Sequence, residues 1–317
     1  MPNLTADDIE KLCDNWCAAA LPSEGGLQIG VETEKFRLLP NGVVFYELNH
    51  EQLLAALVGL SKVLLNPGLN TVIHYDHFFI WSWCAEILLT PQAGIFPNEQ
   101  AEIHSLYASS IHAALANCEK PPSSPEERQQ QGRNASLQPH HAQHLLRKSG
   151  LVLAYIAFPL LEAVLKRACS AYVAFDGQVV SAFSVPGRQG DPKPTLYGPA
   201  GEPGKGKCSS LRDLLFLHYR NITKPNQKRL LGRFRDHLST IDVCQDPFDL
   251  IYGWRNQSLH GSTNFQTIGG TLLSLALIIS LFEVEQYYEE HRLKALYTVR
   301  QYEQLPFRSP WSFYPPF

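Results

Sequence analysis

The run Ile268 to Val284, I-G-G-T-L-L-S-L-A-L-I-I-S-L-F-E-V, constrains this chain more than any other stretch. Apolar residues fill almost every position, and a helix that is apolar all round must be buried all round. Gly269, Gly270, Ser274, Ser280 and Glu283 interrupt it, and a membrane span needs about 20 mostly apolar residues. The run reads as a core helix around which the others pack. The chain has enough material for such a core: 44% of its 317 residues are hydrophobic and 18% are charged, the profile of one large or two ordinary soluble domains.

Start and stop signals place the remaining helices. Thr5, with Asp8 three residues on, opens a helix over Ala6 to Ala20, and Asn49 opens another over Glu51 to Leu65, because short polar side chains satisfy the free amides of a first turn. Leu53, Leu54, Leu57, Leu60 and Leu64 give the second helix one apolar face. Further helices are expected over Tyr75 to Leu89 and Asn98 to Cys118. Between the first two, Leu27 to Leu38 and Val43 to Leu48 flank Pro40-Asn41-Gly42 and predict a β-hairpin. Residues 121–139 are rich in Pro, Gln and Ser and read as a linker.

A long helix with Pro159 inside it is expected from His140 to Tyr172, then a hairpin at Val173 to Phe183 around Asp176-Gly177. Ser184 to Lys207 reads as an exposed, mildly basic insertion. Helices follow over Leu211 to Tyr219, Lys224 to Ser239, Phe248 to His260 and Phe265 to Leu296. The expected fold is mainly α: an N-terminal helical region with a small hairpin (1–120), the linker (121–139), a helical bundle with a β-hairpin insertion (140–296), and a Pro/aromatic tail (297–317) that packs on a surface.

Formal net charge is -3, so no global field draws in nucleic acid and such a role needs a local basic patch. Lys224, Lys228, Arg229 and Arg233 lie along one expected helix and could track RNA phosphates, although a solvated face is the plainer reading. The seven cysteines form no C-x-x-C pair and read as buried thiols of a reducing cytosol. The N-terminus lacks the basic and apolar regions of a signal peptide. A cytoplasmic location away from membranes is the expectation. His74, Asp76 and His77, and likewise His140, His141 and His144, lack recognisable metal-ligand spacing. No P-loop, dinucleotide fingerprint or nucleophile elbow is present, so no cofactor and no metal is expected.

The chemistry-bearing residues cluster just ahead of the apolar run, in I-Y-G-W-R-N-Q-S-L-H-G-S from Ile251 to Ser262. An arginine followed by a histidine five to seven residues later occurs three times, at Arg133 and His140, Arg212 and His218, and Arg255 and His260. Spacing alone therefore singles out nothing. The third pair adds Asn256, four residues before His260 and so on its helical face, and Trp254 and Leu259 as apolar anchors. Arg255 and His260 stand about 140° apart on an ideal helix, within the reach of a bent arginine. A satisfied polar network capping a helix is the alternative.

R-N-Q-S-L-H at Arg255 to His260, with L-L-E-A-V-L-K-R at Leu160 to Arg167 on the first bundle helix, resembles the HEPN family. The resemblance covers roughly residues 140–290. It implies an all-α bundle that dimerises, so that two copies of the motif make one composite site. It further implies metal-independent cleavage of RNA by attack of the 2′-hydroxyl, leaving a 2′,3′-cyclic phosphate, in a toxin–antitoxin or antiviral setting with an antitoxin or defence partner. In that reading His260 is base or acid, Arg255 holds phosphate oxygens, and Asn256 positions phosphate or imidazole; Glu162, on the first bundle helix, could face the motif and orient Arg255, or equally pair with it for structure alone. Some members bind RNA or partners without cutting, and a non-catalytic binding module is the alternative.

Overall fold

A computed structural model describes residues 4–20, 31–66, 75–89, 101–116, 124–137, 148–188, 192–243, 245–258, 265–304 and 314–317. Its helices are α1 (Ala6–Ala19), α2 (Val31–Glu34), α3 (His50–Leu65), α4 (Tyr75–Leu89), α5 (Ala101–Leu115), α6 (Pro125–Leu137), α7 (Ser149–Ala168), α8 (Leu211–Asn221), α9 (Pro225–Ser239), α10 (Pro247–Ser258), α11 (Phe265–Val284) and α12 (Tyr288–Gln304). Strands β1 (Phe183–Val185) and β2 (Thr195–Tyr197) pair antiparallel, Ser184 opposite Leu196. The chain is mainly helical with one small sheet among the described residues, as expected.

α11 occupies the centre, and every residue from Thr267 to Phe282 is buried. Its paired glycines face opposite neighbours. A Cβ on Gly269 would stand 2.7 Å from Leu153 Cγ and 2.8 Å from the Ala154 amide nitrogen on α7. One on Gly270 would stand 2.8 Å from Leu64 of α3 and 3.0 Å from Trp81 of α4. The two hydrogen side chains thus allow α11 to touch both halves of the chain. Its serines complete the contact: Trp81 Nε1 donates to Ser274 Oγ at 2.9 Å and Tyr107 Oη to Ser280 Oγ at 3.3 Å. Buried aromatic N–H and O–H groups need such partners. Residues of α1, α3 and α4 share one apolar core with residues of α7 to α11, so the composition change at 121–139 does not divide that core.

The capping signals at Thr5 and Asn49 both form complete capping boxes. Ser210 caps α8, and Pro225 occupies the first turn of α9. Departures arise where no cap marks the element. The expected N-terminal hairpin is absent among the described residues. Gly42 does turn the chain, at φ 85°, with Val43 N–H donating to Leu38 O at 3.1 Å. Before the turn, however, Val31–Glu34 is helical, and after it Phe45–Glu47 is a 3-10 turn. Phe45 and Tyr46 pack edge-on against Phe79 and Trp83 of α4, so the aromatic face of α4 buries them in place of a partner strand. Residues 125–137, expected as linker, form α6.

The second hairpin lies later than expected. Around Asp176-Gly177 only an isolated bridge forms, Val173 to Val179, and the paired strands fall inside the insertion. The last helix breaks at a 3-10 turn over Glu285–Tyr287 and continues as α12 to Gln304. The described end of the tail, residues 314–317, packs against the fold: Tyr46 Oη donates to Pro315 O at 2.6 Å, Tyr314 Oη to Glu86 at 2.9 Å, and Phe317 stacks on Tyr46. Among the described residues two stretches are long and apolar enough to cross a membrane, Ser149–Ala168 and Phe265–Tyr302, and the apolar window of the second is 94% buried within the fold.

Candidate functional site

α10 carries the arginine and asparagine of the motif. Asp246 starts the helix, accepting the Phe248 amide at 2.9 Å through Oδ1 while Oδ2 receives Arg235 at 2.7 Å. Phe248, Ile251 and Trp254 face inwards and are buried. Arg255, four residues after Ile251, is half-buried at the edge of that face, and Asn256 is exposed. Arg255 Nη1 lies 3.7 Å from Glu162 Oε2 on α7, and Glu162 Oε1 receives Lys166 Nζ at 2.9 Å. One carboxylate therefore stands between two cations, one from the motif helix and one from the helix of the L-L-E-A-V-L-K-R segment. His260 lies outside the described residues, as do His74, His140, His141 and His144.

The expected RNA-tracking cations meet carboxylates of the protein itself. Arg233 pairs with buried Glu10 at 2.7 Å, Lys224 with Glu285 at 2.7 Å, and Arg229 with Glu51 at 3.5 Å. Lys228 lies over the Tyr219 ring. These contacts bind α9 to α1, α3 and the 3-10 turn after α11. The acid and histidine in the first turn of α4 have structural work: Asp76 accepts the Leu39 amide at 3.2 Å, and His77 meets the Trp16 ring edge-on. Among the described residues no three His, Cys, Asp or Glu side chains gather as a metal-binding group. Cys13, Cys17, Cys84, Cys169 and Cys208 are buried free thiols, and burial pushes Cys17 and Cys169 up to about 12 and Cys208 up to about 11. At neutral pH these remain thiols, which are poor nucleophiles and poor metal ligands.

Two features escaped sequence reasoning. Arg212 is almost wholly buried; it reaches Asp249 through Nε, donates to Asp213 at 2.8 Å and to the carbonyls of Pro186 and Gly187 at 3.0 and 2.6 Å. Tyr197 Oη donates to Asp213 at 2.7 Å. This network ties the insertion, α8 and α10 together and so sets the base of the motif helix. Its only local sign is an Arg-Asp pair at positions flanked by Leu211, Leu214 and Leu215. The second is a cavity of about 650 Å³ where the ends of α7 and α8 and the start of α9 meet α11. Lys166 lines it, which puts it one ion pair away from the Glu162–Arg255 contact.

Comparison of the chain with protein-family models, curated proteins and solved structures finds no match. Function is therefore argued from the residues and their geometry.

Proposed function

We propose that this chain is a metal-independent endoribonuclease of the HEPN type, a cytoplasmic toxin or antiviral effector that works as a homodimer with a composite site. The observation that carries the reading is the Glu162–Arg255 ion pair. It joins the two segments on which the HEPN resemblance rests, and it steadies a guanidinium beside exposed Asn256 at the surface. In the proposed reaction His260 of one copy takes the proton from the 2′-hydroxyl of RNA. The 2′-oxygen bonds to phosphorus, the bond to the 5′-oxygen breaks, and His260 of the second copy protonates the leaving oxygen. Arg255 stabilises the charge gathering on the phosphate oxygens, and Asn256 orients phosphate or imidazole by hydrogen bonding. The products are a 2′,3′-cyclic phosphate and a 5′-hydroxyl. An antitoxin or another defence component is the partner this reading supplies.

A non-catalytic HEPN module that binds RNA or protein is the second reading. The α9 cations favour its protein-binding form, since side chains engaged with Glu10, Glu51 and Glu285 are less available to phosphates. Incubating the protein with RNA in EDTA separates the two. The first reading expects cyclic-phosphate ends and loss of cleavage by at least ~100-fold in His260→Ala with the circular dichroism unchanged. Undiminished cutting by that variant refutes the nuclease assignment. Association that persists in the variant, with no cutting by either protein, establishes the module.

A further inference from the structure

Arg188 lies in the basic insertion, is exposed, and places its guanidinium carbon over the Tyr252 ring of α10, 4.6 Å from the ring centre. An aromatic ring covers the face of a guanidinium and leaves its N–H edge open to a bidentate acceptor. Among the described residues no carboxylate pairs with Arg188. Arg229, Arg233 and Arg235 of α9 are each held by an acid of the protein, and Arg255 is held by Glu162. The position of Arg188 is fixed from two sides. Buried Arg212 donates to the carbonyls of Pro186 and Gly187 at 3.0 and 2.6 Å and pairs with Asp249 of α10. Asp249, Tyr252 and Asn256 stand at i, i+3 and i+7 of one stripe of that helix, with Arg255 beside them. The backbone just before Arg188 is therefore tied to the turn preceding Tyr252, and its head rests on the turn preceding Arg255 and Asn256. A long side chain held at both ends loses less freedom when it binds.

We propose that Arg188 is a second phosphate-binding residue of the motif site, gripping the RNA phosphodiester next to the one held at Arg255 and Asn256. The proposal rests on the RNA reading of that site. The two arginines have different tasks. Arg255 acts at the reacting phosphate, while Arg188, set about one helical turn (~5.4 Å) back along α10, holds the flanking strand. Two guanidiniums spaced along one helix suit a ligand whose negative charge repeats, as a phosphodiester chain does. The insertion, an addition to the bundle, thereby gains a role: it delivers this arginine to α10, and the buried Arg212 network fixes where it arrives.

The test measures binding of a short single-stranded 2′-O-methyl RNA, which cannot be cut, by the full chain over a range of salt concentrations, alongside cleavage of ordinary RNA in EDTA. Arg188→Ala is expected to weaken binding by about tenfold, as loss of a charge-assisted hydrogen bond does. It should also reduce the slope of log K against log salt by about 0.7, the share of one single-strand phosphate. Arg188→Lys keeps the charge but loses the fork, so affinity should fall with the slope retained. In cleavage, Arg188→Ala should raise KM with kcat within about twofold, the mark of a binding contact away from the reacting phosphate. Lys205→Ala, which removes the same charge from an exposed position of the insertion, should match the parent. Binding that depends on Arg188 in a protein that cuts nothing upholds the site and refutes the nuclease reading. Cleavage with the same KM in parent and Arg188→Ala overturns the proposal and leaves the nuclease reading standing. Equal losses in Lys205→Ala and Arg188→Ala, or no RNA binding by the parent at low salt, also overturn it.

Discussion

Gly269, Gly270 and Gly253 offer a graded test of how the core is built. Ordinary carbon–carbon contact is roughly 3.5–4 Å. A methyl at Gly269 would stand 2.7 Å from Leu153 Cγ and 2.8 Å from the backbone nitrogen of Ala154. A backbone atom cannot rotate away, so α7 and α11 must part by about 1 Å, and contacts along the crossing loosen with them. Overpacking of this kind costs about 1–3 kcal/mol, and the intrinsic helix preference of Ala over Gly returns up to about 1 kcal/mol. The net expectation for Gly269→Ala is a loss of about 1–2 kcal/mol. At Gly270 the nearest atoms are side-chain ends, Leu64 Cδ2 at 2.8 Å and Trp81 Cη2 at 3.0 Å, so partial relief leaves a smaller loss. At Gly253 on α10 nothing lies within 4 Å, and the helix preference alone predicts a gain of up to about 1 kcal/mol. Equilibrium unfolding in urea measures all three, with an accompanying Tm change of roughly 2 °C per kcal/mol. Gly269→Ala as stable as the parent, or more stable than Gly253→Ala, would refute the close crossing of α7 on α11.

Arg212→Met should destabilise by about 3–5 kcal/mol, because it strands the Asp213 and Asp249 carboxylates; a urea midpoint within ~1 kcal/mol of the parent would show that the network is not structural. Burial pushes His218 and His237 down to about 4. The unfolded chain, with histidines near 6.5, then binds more protons than the fold between those values. Stability is full above about pH 6.5 and falls as pH drops towards 4, by up to about 3 kcal/mol per histidine. Glu10, Glu86 and Glu283 are raised by burial and act in the opposite sense, so the clean measurement is a difference: His218→Phe should flatten the acid limb of the urea midpoint, and an unchanged slope counts against a neutral buried imidazole.

The helices with side-chain caps were legible because a cap acts within four residues. Thr5 with Asp8 and Asn49 with Gln52 close their boxes whatever the rest of the fold does. The alternating residues of 27–48 misled because alternation records which side chains want burial, not what buries them; the α4 aromatics took Phe45 and Tyr46. For the site, Glu162 was picked out as facing Arg255, and the two do meet. Charge partners were illegible for α9, whose basic residues could as well have faced solvent or RNA.

What the residues determined by themselves was local or compositional: a helix too apolar to face water, the helix starts marked by Thr5 and Asn49, and Arg255 and Asn256 just ahead of the core helix. Only the tertiary structure decided that Ser274 and Ser280 serve Trp81 and Tyr107, that Arg233 answers Glu10, and that Arg212 joins the insertion to α8 and α10. The physical reason is range. A cap or an apolar stripe is closed by neighbours along the chain. The partner of a buried hydroxyl or charge is set by which helices cross, and that crossing is governed by close approaches such as Gly269 on Ala154.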